Sequence, residues 1–302
     1  MQAKINKLIP KDRDHWLEMR KQVVTSTEIG GLLGLSEWST PYQLYKSKRE
    51  GVEKEFVDTE RSEWGKKLES TVAEAVSETL GLEIMKDDNF YWSDDMRLGA
   101  SLDYMCRSKD QDEWAVLECK CVDSLIFKRK FVSEGDVLLE LPLGIELQVQ
   151  QQLLLTGASR AVVGVLVGGS RLFTIERFPD KEVQTRIITE TRKFWSLKEP
   201  PPIVPERDYE QLNMMYNDVR EGEELNADEE LDELMASYNK LAEISNNADR
   251  GRKAIKAVLL DRIKNSKKVF SERFKLTRTW VPEKEISYTR GAYSTFTVSK
   301  IK

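Results

Sequence analysis

A chain of 302 residues, 40% hydrophobic and 33% charged with a net charge of −5, has an ordinary globular composition and is long enough for one sizeable domain plus an appendage. No apolar run reaches the ~18 residues a membrane helix needs, and "MQAKINKLIPKDRDHW" lacks a secretory stretch, so a cytoplasmic location is expected. One histidine (His15) and three cysteines (Cys106, Cys119, Cys121) without a CxxC pair argue against HExxH or other zinc sites, a disulfide framework and an iron–sulfur cluster, which leaves carboxylates, lysine and a metal ion for any catalysis.

In chain order, residues 12–34 read as a helix, a turn and a short second helix, with Ser26 or Thr27 of "TSTEIGGLLG" as the second N-cap. A helix starts near Thr40, carries Pro41 in its first turn and stops at Gly51. "SEWGKKLESTVAEAVSETLG" is a helix ending at Gly81, followed by strands around 82–92, 97–105 and 114–121. Residues 122–135 read as helical and carry the basic triplet Lys128, Arg129 and Lys130. "GIELQVQQQLLLTG" is a helix closed by Gly157, and "RAVVGVLVGG" and "RLFTIERF" form a hairpin across Gly168 and Gly169. Residues 180–197 are helical. The fold class expected is α/β or α+β, a central mixed sheet flanked by helices over residues 1–199.

"KEPPPIVPERD" reads as a stiff linker, so 200–221 is expected to connect this domain to an appendage over 222–302. Charge is uneven there: 206–235 holds 12 acids and 2 bases, whereas 236–302 holds 16 bases and 6 acids, so the negative total hides local positive charge. Within the appendage 222–265 reads as charged helix, including a long hairpin as one option, and the final 35 residues as short strands. The acidic block reads as a solvated surface, with partner docking as its functional alternative.

"GASLDYM" and "WAVLECKC" carry the chemistry. Strand side chains alternate, so Glu118 and Lys120 share one face while Ala115, Leu117, Cys119 and Cys121 line an apolar one. Asp103 lies 15 residues before Glu118, and a hairpin across "RSKDQDE" brings the two acids together. Neighbouring carboxylates repel unless a cation sits between them, and a hard divalent ion suits oxygen ligands. Lys120 then helps deprotonate a water or stabilises the transition state of phosphodiester hydrolysis. Glu69 shares a helix face with Ala73, Val76 and Leu80, where an acid is costly without a role, and Gln148 approaches from another helix.

Asp-x(14)-Glu-x-Lys is the core pattern of the PD-(D/E)xK nuclease superfamily. The order "WLEMRKQVVTSTEIGGLLG", "WGKKLE", "GASLDYM", "LECK", "LQVQQQ" over residues 12–197 resembles the YqaJ-type viral recombinase family, that of the phage lambda exonuclease. The resemblance implies a restriction-endonuclease-like core with Asp103, Glu118, Glu69 and the Cys119 main-chain carbonyl as metal ligands. It implies Lys120 as catalytic lysine and Gln148 as the assisting glutamine. Arg20, Thr27 and Ser101 match a pocket for a terminal 5′-phosphate, with Thr27 where the family uses serine. Lys128, Arg129 and Lys130 read as a solvated face directly after the catalytic strand, with phosphate contact as the functional alternative. Gln151 departs from the family's aromatic three residues after the helix glutamine.

The function implied is a magnesium-dependent 5′-to-3′ exonuclease on linear double-stranded DNA, with manganese as the alternative ion. By resemblance it forms a ring trimer, is encoded by a phage or prophage, and acts beside a single-strand annealing protein in recombination. A PD-(D/E)xK endonuclease and a DNA-binding or scaffold module for an annealing protein are the alternatives.

Overall fold

In the computed structural model, which describes residues 4–52, 60–217, 219, 224–285 and 296–298, the chain begins with β1 (Asn6–Leu8), α1 (Arg13–Lys21), β2 (Val24–Thr25), α2 (Ile29–Leu32), α3 (Pro41–Glu50) and α4 (Glu60–Leu80). It continues with β3 (Leu82–Lys86), β4 (Phe90–Ser93), β5 (Leu98–Ser101), β6 (Tyr104–Ser108), β7 (Ala115–Val122), α5 (Ser124–Lys130), β8 (Val132–Glu134) and β9 (Val137–Glu140). Then come α6 (Leu143–Thr156), β10 (Ala161–Val167), β11 (Arg171–Arg177), α7 (Lys181–Ser196), α8 (Pro205–Met215), α9 (Glu229–Ile263), β12 (Lys268–Phe270) and β13 (Lys275–Thr277). Among the described residues no helix is long and apolar enough to cross a membrane.

The chain divides into two compact units, Met1–Asn213 and Met214–Lys302. The first is mixed α/β with two sheets flanked by helices. One sheet has the order β1-β4-β5-β2 and the other β11-β10-β7-β6-β3, with β10 parallel to β7 and the rest of the larger sheet antiparallel. The single strands expected over 82–92 and 97–105 are therefore each two strands, in different sheets. At the first break Asp87 turns the chain, its carboxylate accepting from the Asn89 N–H at 3.0 Å and the Tyr91 hydroxyl at 2.7 Å. The second break falls at Leu102–Asp103, so Asp103 sits where the chain crosses between sheets rather than within a strand.

Local chemistry sets the helix ends. Thr40 caps α3 by accepting from the Gln43 N–H at 3.0 Å, and Gly51 closes it at φ 69°. The expected Ser26 or Thr27 cap of α2 is not formed; Glu28 holds that position without a side-chain bond. Ser26 is instead buried, because its N–H donates to the Gly99 carbonyl at 2.9 Å and prolongs the β2–β5 pairing. The helix expected over 122–135 stops at Lys130 and gives way to the β8–β9 hairpin.

The apolar face of β7 packs on α4: Ala115, Leu117 and Cys119 meet Val72, Ala73 and Val76. On β10, Gly164 permits this approach, since a Cβ there would lie 2.5 Å from Val76 Cγ2. Leu80, expected on the same face, is exposed at the helix end.

The proline-rich stretch packs within the first unit. Residues 200–213 belong to the first unit, where Asp208 is 0% exposed and accepts from Thr40 Oγ1 and the Val204 N–H, each at 2.6 Å. In the second unit α9 is one continuous helix of 35 residues rather than a hairpin, capped by Asp228 and burying none of its residues. β12 and β13 form the only strand pair of that unit among the described residues; the expected strands within 286–295 and 299–302 lie outside them.

Candidate active site

β6 pairs with β7 only as far as Tyr104 opposite Leu117, which leaves one edge of β7 open from Glu118 onward. Asp103 stands one residue beyond the last pair and spans that edge, its Oδ2 accepting from the Cys119 N–H at 2.8 Å. The N–H and C=O of a strand residue project to the same side, so the Cys119 carbonyl shares the open edge with Asp103. Glu118, 1% exposed, points to the face covered by α6. Its Oε1 accepts from Lys120 Nζ and, at 2.6 Å, from Gln148 Nε2; its Oε2 accepts from Gln152 Nε2 at 2.6 Å. Lys120 also donates to Gln148 Oε1 at 3.2 Å.

The glutamines of α6 thus have separate tasks. Gln148 and Gln152, four residues apart and on one helix face, hold the two oxygens of Glu118. Gln151, fully buried, donates to the Val24 and Gly99 carbonyls at 2.9 Å each and ties α6 to β2 and β5. Its departure from an aromatic therefore has a structural use in the smaller sheet. Gln150 bonds the loop before α7 through the Phe178 carbonyl (2.9 Å) and the Asp180 N–H (2.8 Å).

Burial, then the negative charges of Glu118 and Glu69, push the Asp103 carboxyl up to about 8 despite Lys120 and the Cys119 N–H. Burial and Glu118 also raise Glu69, which feels these charges but hydrogen-bonds neither acid among the described residues. Burial disfavours the Lys120 ammonium, but Glu118 and Asp103 outweigh it and hold the amine above its ordinary range. Asp103 and Glu118 share one ammonium, Lys120, while Glu69 on the flank also feels Lys86 and Lys66; a cation between Asp103 and Glu118 relieves their repulsion. Among the described residues no three histidine, cysteine or acidic side chains converge at ligand spacing. The oxygen donors at hand are Asp103, the remaining lone pair of Glu118 and the Cys119 carbonyl, with Glu69 on the flank; this set fits a hard divalent ion.

A second cluster gathers Arg20, Thr27 and Ser101 through Trp16. The Arg20 guanidinium lies 4.5 Å over the Trp16 ring and donates to Thr27 Oγ1 at 3.4 Å, while Trp16 Nε1 donates to Ser101 Oγ at 3.0 Å. Glu28 anchors the cluster: Arg20 lies 3.6 Å and Lys48 2.8 Å from its oxygens, and it accepts from the Thr25 N–H at 2.9 Å. Lys48 also donates to the Arg20 carbonyl at 2.7 Å. Ser101 joins the two clusters, because its carbonyl accepts from Gln152 Nε2 at 3.4 Å.

Lys128, Arg129 and Lys130 form the exposed last turn of α5, and Lys130 pairs with Glu37; among the described residues none of the three bonds either cluster. Four contributors escape the sequence reading: Trp16, Glu28, Lys48 and Gln152. Two were within reach of spacing, Trp16 four residues before Arg20 and Gln152 four after Gln148.

Residues 15–159 match the model of the YqaJ-like viral recombinase domain. The uncharacterized protein YqaJ of Bacillus subtilis (strain 168) is 27% identical over 189 residues, which cover 62% of this chain and 56% of that protein, so the match spans little more than half of the relative. Among solved structures, the alkaline exonuclease LHK-Exo from Laribacter hongkongensis aligns at 15% identity and a TM-score of 0.44, over 67% of this chain and 98% of that one. A phage-related exonuclease from Haemophilus somnus 129PT aligns at 12% identity and a TM-score of 0.40, over 57% and 93%. Both charged clusters fall inside the segment that resembles the YqaJ-like viral recombinase domain.

Proposed function

We propose that the chain is a divalent-metal-dependent nuclease that degrades one strand of linear duplex DNA from its 5′ end. The observation that carries this is the grouping of Asp103, Glu118 and Lys120 at the open edge of β7 with surplus negative charge. Asp103, Glu118, the Cys119 carbonyl and Glu69 would hold the ion. A bound divalent ion supplies neutralisation of the scissile phosphate and acidifies a water at neutral pH.

The protein's own groups do the rest. Gln148 and Gln152 fix both oxygens of Glu118, so its orientation is set before substrate arrives. The Lys120 ammonium, held between Glu118 and Gln148, faces the charge that grows on the phosphoryl oxygens. Arg20, with Thr27 and Ser101, would bind the terminal 5′-phosphate and so set where the scissile bond lies. Magnesium as the resident ion, a ring-shaped homo-oligomer, an annealing partner, a phage or prophage origin and a role in recombination complete the proposal, on the strength of the family resemblance.

The test is digestion of linear duplex and closed circular DNA with Mg²⁺, with EDTA, and with Lys120→Ala. We expect loss of linear DNA alone, only with Mg²⁺, and a rate at least ~100-fold lower in the variant, whose folding is checked by its thermal midpoint. Cutting of the circle would replace the exonuclease by an endonuclease, and metal-independent or absent cleavage would remove the proposal.

A further inference from the structure

The second unit holds a strongly basic surface. From Arg262 to Arg278 the chain carries seven cations (Arg262, Lys264, Lys267, Lys268, Arg273, Lys275, Arg278) and one acid, Glu272, in a protein whose net charge is −5. Among the described residues the one ion pair of these cations is Lys264 with Asp261, at 3.9 Å. The stretch is ordered by its own bonds. The β12–β13 register sets Lys268 opposite Thr277 and Phe270 opposite Lys275, Ser271 and Phe274 close the turn at 2.8 Å and 3.0 Å, and Arg278 bonds back to the Lys264 carbonyl.

Cross-strand partners share a face, so Lys268, Phe270, Lys275 and Thr277 lie together on the exposed side, and Val269 and Leu276 on the half-buried side. Phe270 is 69%, Phe274 74% and Trp280 83% exposed. Lys275 lies 5.7 Å over the Phe270 ring and Arg273 5.8 Å over Phe274. Large exposed aromatics are costly in water and mark a contact surface. Here Phe270 shares its face with Lys268 and Lys275 and Arg273 lies over Phe274 in the turn, so cations and rings are interleaved, whereas a membrane-surface element separates its basic and apolar faces. Alternation is what a single strand requires, because phosphates and base faces recur together along it. A duplex offers the phosphates but hides the base faces.

We propose that β12, β13 and the flanking residues through Trp280 bind single-stranded DNA. The cations engage phosphates, and Phe270, Phe274 and Trp280 stack on unpaired bases. That the strand is DNA rests on the nuclease reading, in which digestion leaves a 3′ single strand for this surface to hold.

The test is fluorescence anisotropy of the full-length chain in EDTA with a labelled oligo-dT of about 20 nucleotides, set against duplex of equal length and against phosphatidylserine vesicles. Single strand should bind more tightly than duplex. Phe270→Ala should weaken it about tenfold, and Lys268→Gln with Lys275→Gln should also flatten its salt dependence. Circular dichroism of each variant checks that α9 is intact. Unchanged single-strand affinity in both variants, an equal loss of duplex and single-strand affinity in both variants, or retention on vesicles in place of oligonucleotide would each overturn the proposal. Binding in EDTA needs no hydrolysis, so failure of the nuclease reading and failure of this surface are separate results.

Discussion

Glu118 and Glu28 are both inward-facing acids bonded to a lysine, yet their neighbourhoods have opposite sign. At Glu28, burial pushes the carboxyl up, but Lys48 and Arg20 outweigh it and hold it below its ordinary range. One acid faces two cations there. At Glu118 one ammonium faces two carboxyls, Glu118 and Asp103, and Asp103 is driven up to about 8 by burial and its acidic neighbours. The acid–lysine pair therefore says little by itself. The charge around it differs, negative at Glu118 and positive at Glu28, and under the proposed function the first takes a cation and the second an anion. Ser101, bonded by Trp16 on its hydroxyl and by Gln152 on its carbonyl, couples the two positions mechanically.

This contrast is open to attack from both sides. Arg20→Ala removes the surplus cation at Glu28 and should cut the preference for 5′-phosphate over 5′-hydroxyl ends by about 10- to 100-fold, the worth of a hydrogen bond to a charged group. Initial digestion rates on the two kinds of end measure it; equal loss on both would take the anion away from that cluster. A smaller effect belongs to Gln152→Ser, which frees Glu118 Oε2 while leaving Gln148 in place. The Mg²⁺ concentration for half-maximal activity should rise about tenfold with little change at saturation. A fall in the saturated rate with unchanged Mg²⁺ dependence would assign Gln152 to packing.

Much of this arrangement was legible in the sequence, for identifiable reasons. Strand alternation alone puts Glu118 and Lys120 on one face and the cysteines against α4. Thr40, Gly51 and Gly157 announce helix ends because their caps are local. What depends on distant partners was not legible. Within Leu82–Trp92, Asp87-Asp88-Asn89 does mark a turn, but that its two sides join different sheets depends on distant strands. The prolines before Glu206 suggest a spacer, but the buried Asp208 bond to Thr40 folds that segment back. Within the glutamine run the sequence singles out Gln148, but the partners of Gln150, Gln151 and Gln152 appear only in the fold.

The central claim, a divalent ion at Asp103 and Glu118, is tested most directly by thermal unfolding from pH 5 to pH 9 with Mg²⁺ and with EDTA, in the natural chain and in Asp103→Asn. Folded Asp103 keeps its proton up to about 8, whereas the unfolded chain releases it near 4. Its contribution to stability is thus full below pH 4 and is lost as pH rises through about 8. In EDTA the midpoint should fall across this window, and Mg²⁺, which replaces that proton, should restore it by an increment that grows with pH. Asp103→Asn should flatten both trends. A midpoint indifferent to Mg²⁺ at every pH, or an Mg²⁺ response undiminished in Asp103→Asn, would contradict a metal site at this edge of β7.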